Sequence, residues 1–347
     1  AIEQLSNDKA SIRLGGVYTL VGLVDEWLAD EKTTPSLEER RKEGQVIINN
    51  LCAYIRSPFL LAERAEHLDE PYAKDLQKDF DGDKEKFDAD KQTFKQHKAT
   101  LEEERQIRQS IIKEICERLR NINEPGPWSD FDYDFSNAHF FYFTDFTRSR
   151  FDGSLNFTGA EFTQNAIFFG VEFTRYADFS EAKFTGYANF FGAEFTEADF
   201  SEVEFTGFAS FSGAEFTGYA NFSGAEFTEA DFSEAKFTQN ANFSGAEFTG
   251  FADFSGAEFT KASFFRAQFT RPADFSGAKF TRPADFSEAT FQSKPIFTLD
   301  NLDNKARFSC KVAPEDYNFK VSHISPYKIE TEEKEYNGIN FTIPKGA

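Results

Sequence analysis

At 347 residues the chain is long enough for two folding units, since such units usually run about 100 to 200 residues. Its hydrophobic content of 40% is ordinary, but 46 Phe stand beside two Trp and no Met, the kind of bias that a repeat produces. The net charge of −21 argues against direct nucleic-acid binding, which needs Lys and Arg to neutralise phosphates. It suits a soluble, self-repelling surface or a cationic partner.

Cys52, Cys116 and Cys310 have no paired spacing and no His cluster beside them. A disulfide framework or zinc site is therefore not expected, and a reducing compartment fits. There is no signal peptide, and no apolar run reaches the length of about 18 residues that marks a membrane span. With no Met in the sequence, Ala1 is not read as the natural start, which leaves room for a targeting or membrane segment upstream.

Residues 1 to 123 read as helix. Ile12, Val17, Leu20, Leu23, Val24 and Trp27 recur at three- and four-residue spacings, one apolar face. Ser36 and Glu39 form a capping box, and Val46, Ile47, Leu51, Tyr54 and Ile55 are the expected buried stripe of the helix that follows. Glu63 to Glu104 is heavily charged and predicts long, partly exposed helix with a break near Gly82. Ile107, Ile111, Ile115 and Leu119 predict one more packed helix, ended by Pro125, Gly126 and Pro127.

From Phe135 the period changes. Units such as Ala182-Lys183-Phe184-Thr185-Gly186 follow one another, with Phe at the centre and a small residue two places before it. The centres run from Phe135 to Phe297, then Leu302 and Phe308, making 33 units of which 32 have Phe. Five residues with two inward side chains suit a short extended face followed by a corner. Four faces close a square coil, so the units predict about eight coils stacked at roughly 4.8 Å. Every six-residue step arrives at an even-numbered unit counted from Phe135 as zero. The extra residues are thus expected at two diagonally opposite corners, as in Gly186-Tyr187, Gly207-Phe208 and Gly250-Phe251 on one and Arg175-Tyr176 and Gly218-Tyr219 on the other.

Ala-Asp-Phe-Ser-Glu at 198–202 and 230–234 resembles the pentapeptide-repeat family, which implies a right-handed quadrilateral parallel β-helix. The alternating unit from Phe184 to Phe190, with Asp8 to Tyr18 and Leu51 to Arg56 upstream, is similar to an actinobacterial branch of that family. That branch often carries membrane helices before its helical region. The resemblance implies fold more than function, and some relatives act as DNA mimics that bind DNA gyrase.

No constellation points to catalysis, and no cofactor or metal is expected. His67, His97, His139 and His323 are isolated and read as surface or packing residues. Asp79, Asp81, Asp83 and Glu85 resemble the start of a calcium loop, but Gly82 and Asp90 fall at the wrong places, so a helix break is preferred. Outward ladders of Glu161, Lys183, Glu204, Glu226 and Glu247, and of Glu172, Glu194, Glu215, Lys236 and Glu258, are expected on opposite faces. Like charges one coil apart would repel and weaken the rod slightly. Residues 130–300 carry 26 acidic and 11 basic side chains, net −15. Glu204, Glu226 and Glu247 form one candidate partner surface. Tyr187, Phe208 and Phe251 form a rival along one edge, although each ring folding back over its own bulge is the favoured expectation.

The sequence thus predicts an α plus β-solenoid protein. A helical, HEAT-like domain (1–127) precedes the repeat β-helix (128–308) and a C-terminal cap or tail (309–347). In the tail Tyr317, Phe319, Ile339, Phe341 and Ile343 are expected over the Phe308 end, with a homodimer contact as the alternative. The expected role is a non-enzymatic scaffold with a protein partner, cytoplasmic and held at the cytoplasmic face of a bacterial membrane by a missing N-terminal segment. A DNA mimic is the alternative.

Overall fold

A computed structural model describes residues 1–34, 36–70, 72, 84–120, 124–299 and 304–347. The chain divides into two units, Ala1–Glu114 and Ile115–Ala347.

The first unit is helical. α1 (Ala10–Ala29) buries Val17, Leu20, Val21 and Val24, and α2 (Leu37–Arg56) buries Ile47, Ile48, Leu51, Cys52 and Ile55. Ser36 starts α2 as expected, its hydroxyl accepting from the Glu39 N–H at 3.3 Å. Val46 departs from expectation. It is 53% exposed, because the buried stripe is centred on the Ile47, Leu51 and Ile55 row and Val46 lies one residue round the helix from it. After α3 (Ala65–Asp69), the charged residues and the isoleucines share a single helix, α4 (Lys84–Leu119), where two had been expected. No Gly or Pro interrupts that span, so nothing in it breaks the backbone ladder. Gly82 and the acidic cluster before Lys84 lie outside the described residues.

Both N-terminal motifs converge on Glu104. Tyr54 donates to its carboxylate at 3.0 Å, Arg13 reaches it at 3.4 Å, and Arg108 donates to it at 2.7 Å. Arg108 is 1% exposed and its guanidinium also caps the end of α2, donating to the carbonyls of Ile55 (2.6 Å) and Ser57 (2.7 Å). Those carbonyls have no partner within a helix, so the buried charge satisfies them.

The second unit is a parallel β-solenoid built on four columns of stacked rings. One runs from Phe135 through Phe157 and Phe179 to Phe286, and the other three start at Phe140, Phe146 and Phe151. Mid-rod neighbours in a column sit 4.7 to 5.1 Å apart and nearly parallel, while rings of the opposite first and third columns meet edge to face. Seven turns carry the chain from Phe135 to Phe286, and Phe286, Phe291, Phe297 and Phe308 form an eighth layer.

The two kinds of corner explain the five-and-six alternation. After each Phe of the first column from Phe135 to Phe286, and of the third from Phe146 to Phe275, the chain makes a type II turn. The residue two after that Phe has positive φ, and the residue three after it donates back to the Phe carbonyl at 2.9 to 3.4 Å. A closed turn has no room for a sixth residue. The other two corners are open and absorb the variation, with register shifts where a five-residue corner stacks on a six-residue one. Gly207 and Gly218 are needed at these open corners because an added Cβ would meet the carbonyl oxygen of the coil before at 2.2 and 1.9 Å.

The last coil corrects the sequence reading. Phe308 stacks on Phe280 in the fourth column, the place assigned to Leu302. A short antiparallel pair, Thr298–Leu299 with Asn304–Lys305, loops out of the coil, and Leu302 itself lies outside the described residues. Phe319 then completes the first column over Phe286. Tyr317 and Phe319 both lie edge-on to Phe308, and Phe341 sits in the Thr331–Tyr336/Ile339–Pro344 hairpin. At the other end Tyr133 stacks on Phe135, and Trp128 is fully buried beneath the Arg118 guanidinium. Both ends of the Phe column are thereby covered, as a stack of repeats requires.

Candidate interaction surface

The faces are numbered by their Phe columns. On face two, in-register pairing stacks Glu161, Lys183, Glu204, Glu226 and Glu247 as expected, then continues through Gln268 to Thr290. Lys183 pairs with Glu204 at 3.4 Å and Gln268 donates to Glu247 at 2.7 Å, leaving Glu226 between two carboxylates. Face four extends further than the sequence ladder suggested, from Arg150 through Glu172, Glu194 and Glu215 to Lys236, Glu258, Lys279 and Arg307. Arg150–Glu172 (2.7 Å), Lys236–Glu215 and Lys279–Glu258 (2.5 Å) pair between coils. With four cations and four carboxylates this ladder is balanced, so the expected repulsion is confined to short stretches. Glu194 is one of them: burial, then the charges of Glu172 and Glu215, hold its carboxyl above the usual range.

Faces one and three use their acids differently. Twelve Asp and Asn residues that precede a Phe there, Asp134 to Asp285, accept the N–H two residues on at 2.7 to 3.2 Å. Each satisfies a backbone donor inside the closed turn, an Asx motif that either Asp or Asn can make. Eight of the twelve are Asp, so a large part of the rod's negative charge also serves turn formation.

Tyr187 and Phe208 stand on adjacent coils, as expected, and Phe251 lies two coils beyond Phe208 with Glu229 between. Tyr187 and Phe208 stack on one another across coils at 5.6 Å, and Phe208 and Phe251 remain 38% and 39% exposed. Burial raises the Tyr187 phenol above its usual pKa. On the opposite edge Tyr219 is 38% exposed and receives a hydrogen bond from the Asn242 amide at 3.1 Å.

Sequence reasoning missed three outward residues on face three. Ile167 and Phe169 in one coil and Phe191 in the next stand where most coils have Asp or Ser, and Phe169 stacks on Phe191 at 5.6 Å. Their signal in the sequence was the departure from Asp-Phe-Ser in repeats otherwise faithful to it.

Among the remaining candidates, Asp90 accepts a hydrogen bond from Tyr72 at 2.8 Å, while Asp79, Asp81 and Asp83 lie outside the described residues. His67 packs edge-on against Phe94 and His139 against Phe141. Among the described residues no His, Cys, Asp and Glu side chains gather as a metal site. Cys52 and Cys116 are buried and Cys310 is exposed, and burial pushes the Cys116 thiol up to about 12.

The family model of pentapeptide repeats, nine copies long, matches residues 146–193, 168–214, 190–236, 222–268 and 264–298. No curated protein and no solved structure matches the chain.

Proposed function

Because this chain is a pentapeptide-repeat protein, we propose that it is a non-enzymatic scaffold that binds a protein partner through outward side chains of the solenoid. One observation carries the reading. In each coil the Phe and the small residue before it are committed to the fold, as are most of the Asx oxygens and turn residues, while ladder positions, open-corner positions and a few Asx sites such as Ile167 and Ser210 vary from coil to coil. Recognition is therefore assigned to those variable positions, with Glu204, Glu226 and Glu247 on face two and Tyr187, Phe208 and Phe251 on the adjoining edge as candidate surfaces.

DNA mimicry has one observation in its favour, the three consecutive carboxylates at 204, 226 and 247. The balanced face four weighs against it, since a DNA-like surface needs charge of one sign along its length. The triple variant E204Q/E226Q/E247Q separates the readings without touching the core. We expect no inhibition of DNA gyrase by the wild-type chain, and a partner captured from the native host that still binds the variant. Gyrase inhibition at submicromolar protein, lost in the variant, would replace the scaffold by a mimic. Turnover that survives purification would overturn the non-enzymatic part.

Attachment to the cytoplasmic face of a bacterial membrane is also proposed, through a segment preceding Ala1, on the family resemblance. No described helix is long and apolar enough to cross a membrane. Recovery of the native full-length protein wholly in the soluble fraction would count against it.

A further inference from the structure

We propose that face three of the solenoid, over its second to fourth coils, docks a cationic amphipathic segment of another polypeptide, one with an apolar stripe flanked by Lys or Arg. The inference rests on the scaffold reading and gives it a site and a partner chemistry.

The apolar part consists of Ile167, Phe169, Tyr187, Phe191 and Phe208. Ladder pairing sets Ile167 beside Asn189, and Asn189 beside Ser210. Phe169–Phe191 and Tyr187–Phe208 form two stacked pairs on either side of that row, each at 5.6 Å. Tyr187 and Phe191 flank the short strand Ala188–Asn189, four residues apart, so the pairs are separated by at most roughly 13 Å. That width suits one helix or one extended segment.

The solenoid itself does not need these side chains. The position of Phe169 and Phe191 is Ser in the next four coils (Ser212, Ser233, Ser255, Ser276), and the position of Ile167 is Asp231, Asp253 and Asp274 further along. Phe191 is 46% exposed, so its ring contributes little to the core. Half-buried and exposed aromatic side chains gathered together, two of them at sites where the same fold elsewhere uses Ser, mark a contact surface.

Charge selects the occupant. Glu229 pairs in register with Phe208, Asp231 pairs with Ser210, and Glu234 follows at the adjoining turn. Glu194 lies round the closed corner from Phe191. Arg148 marks the upper edge, and from there to Arg271 face three and its two corners carry no Lys or Arg. A second copy would bring the same carboxylates together, so a cationic partner fits better than self-association.

The variant I167D/F169S/F191S installs residues that other coils of this rod already carry, and therefore should fold. Three labelled peptides serve as probes against the full 347-residue chain: a helical Leu/Lys amphipath, its Leu/Glu counterpart, and a Lys/Ala peptide without the apolar stripe. Anisotropy titration should show the Leu/Lys peptide binding wild type best and the variant about tenfold or more weaker, a loss typical of removing central aromatic anchors. The new Asp adds negative charge, so simple electrostatic attraction would instead strengthen binding to the variant. Equal or tighter binding by the variant, or wild type binding the Lys/Ala or Leu/Glu peptide as well as Leu/Lys, overturns the proposal. Concentration-dependent dimerisation of wild type, lost in the variant, would assign the patch to a second copy and also overturn it. A captured native partner that the variant retains sinks this site while leaving the scaffold reading intact. If no native partner exists but the peptide results hold, the scaffold reading alone fails.

Discussion

Phe222 offers the clearest test of how the solenoid is held together. Its side chain is fully buried, stacked between Phe200 at 5.0 Å and Phe243 at 4.9 Å with rings tilted by only 3°. Phe211, Phe232 and Phe216 meet it edge to face at 5.4, 5.3 and 5.8 Å. Truncating a buried Phe usually costs about 3 to 5 kcal/mol through lost transfer energy and the cavity left behind. Here the value belongs near the upper end, since six ring contacts, the sixth a tilted one with Phe227 at 6.3 Å, go at once and neighbouring coils, tied by backbone ladders, cannot collapse into the space. Phe222→Ala is therefore expected to lower stability by about 4 to 5 kcal/mol. Tyr219→Ala, three residues earlier on an open corner, removes a 38% exposed ring and hydrogen bonds of 3.1 and 3.4 Å. Asn242 keeps its contact to Asn221, so the loss should be about 1 kcal/mol. Urea unfolding with hydrogen exchange on the Phe222 coil gives both numbers and shows whether the damage stays local. Equal losses for the two variants would refute the assignment of inward and outward positions.

Two further perturbations address the turns and the helical unit. Glu234 holds φ of 57° and Gly213, one coil before at the same corner, holds 63° with no neighbour near its missing Cβ. Because the left-handed region costs an L-residue about 1 to 2 kcal/mol and Gly loses about 0.5 to 1 in chain entropy, Glu234→Gly should stabilise by about 0.5 to 1 kcal/mol and Gly213→Glu should destabilise by as much; shifts of the opposite sign in paired melts would show that these corners are not closed turns. Asp69 receives two hydrogen bonds from Arg105, at 2.6 and 2.7 Å, which with that cation's charge hold its carboxyl below the usual range. A depressed folded pKa gives stability that is present above the unfolded value near about 4 and disappears as pH falls through the folded one. The advantage of wild type over Asp69→Asn should therefore hold at neutral pH and close in acid, and a gap that survives acid would exclude the pair as its source.

The solenoid was legible because one residue type does one job at a fixed interval. Phe at the centre of each unit gave the columns, and the parity of the six-residue steps gave the two open corners. What the sequence did not reveal is the reason for the parity: the closed turn depends on φ and a backbone hydrogen bond, and seven of its fifteen positive-φ positions hold Asn, Arg or Glu where Gly would have announced it. Leu302 was misread for a different reason. A repeat scan keeps counting through any residue of suitable spacing, and cannot see that Thr298–Leu299 pairs antiparallel with Asn304–Lys305 and that the coil resumes with Phe308 one face earlier. In the helical unit, α4 carries two kinds of surface in turn, exposed charge and then buried isoleucine. That change resembles a boundary between helices although the backbone runs through it. The candidate surface was half visible: Tyr187 and Phe208 stood out at a six-residue corner, whereas Ile167, Phe169 and Phe191 were hidden because Phe is so common in this chain.

The charge of the rod shows why composition alone pointed in two directions. The ladders, the first place to look for a DNA-like surface, are the wrong place: face four is balanced and face two holds one run of three carboxylates. Much of the acidic excess lies on faces one and three, in Asp residues whose oxygens close turns. The turn requires the oxygen and not the charge, since Asn189, Asn221 and Asn242 make the same bond. Choosing Asp over Asn therefore leaves the fold almost unchanged while setting the field outside it. On face three that choice gives Asp231, Asp253 and Asp274 in succession, directly below the coils where Asp gives way to Ile167 and Asn189 and where the aromatic pairs stand. Apolar contact and negative field thus alternate along a single face, which is the arrangement a cationic amphipathic partner would read and a nucleic-acid-binding groove would not.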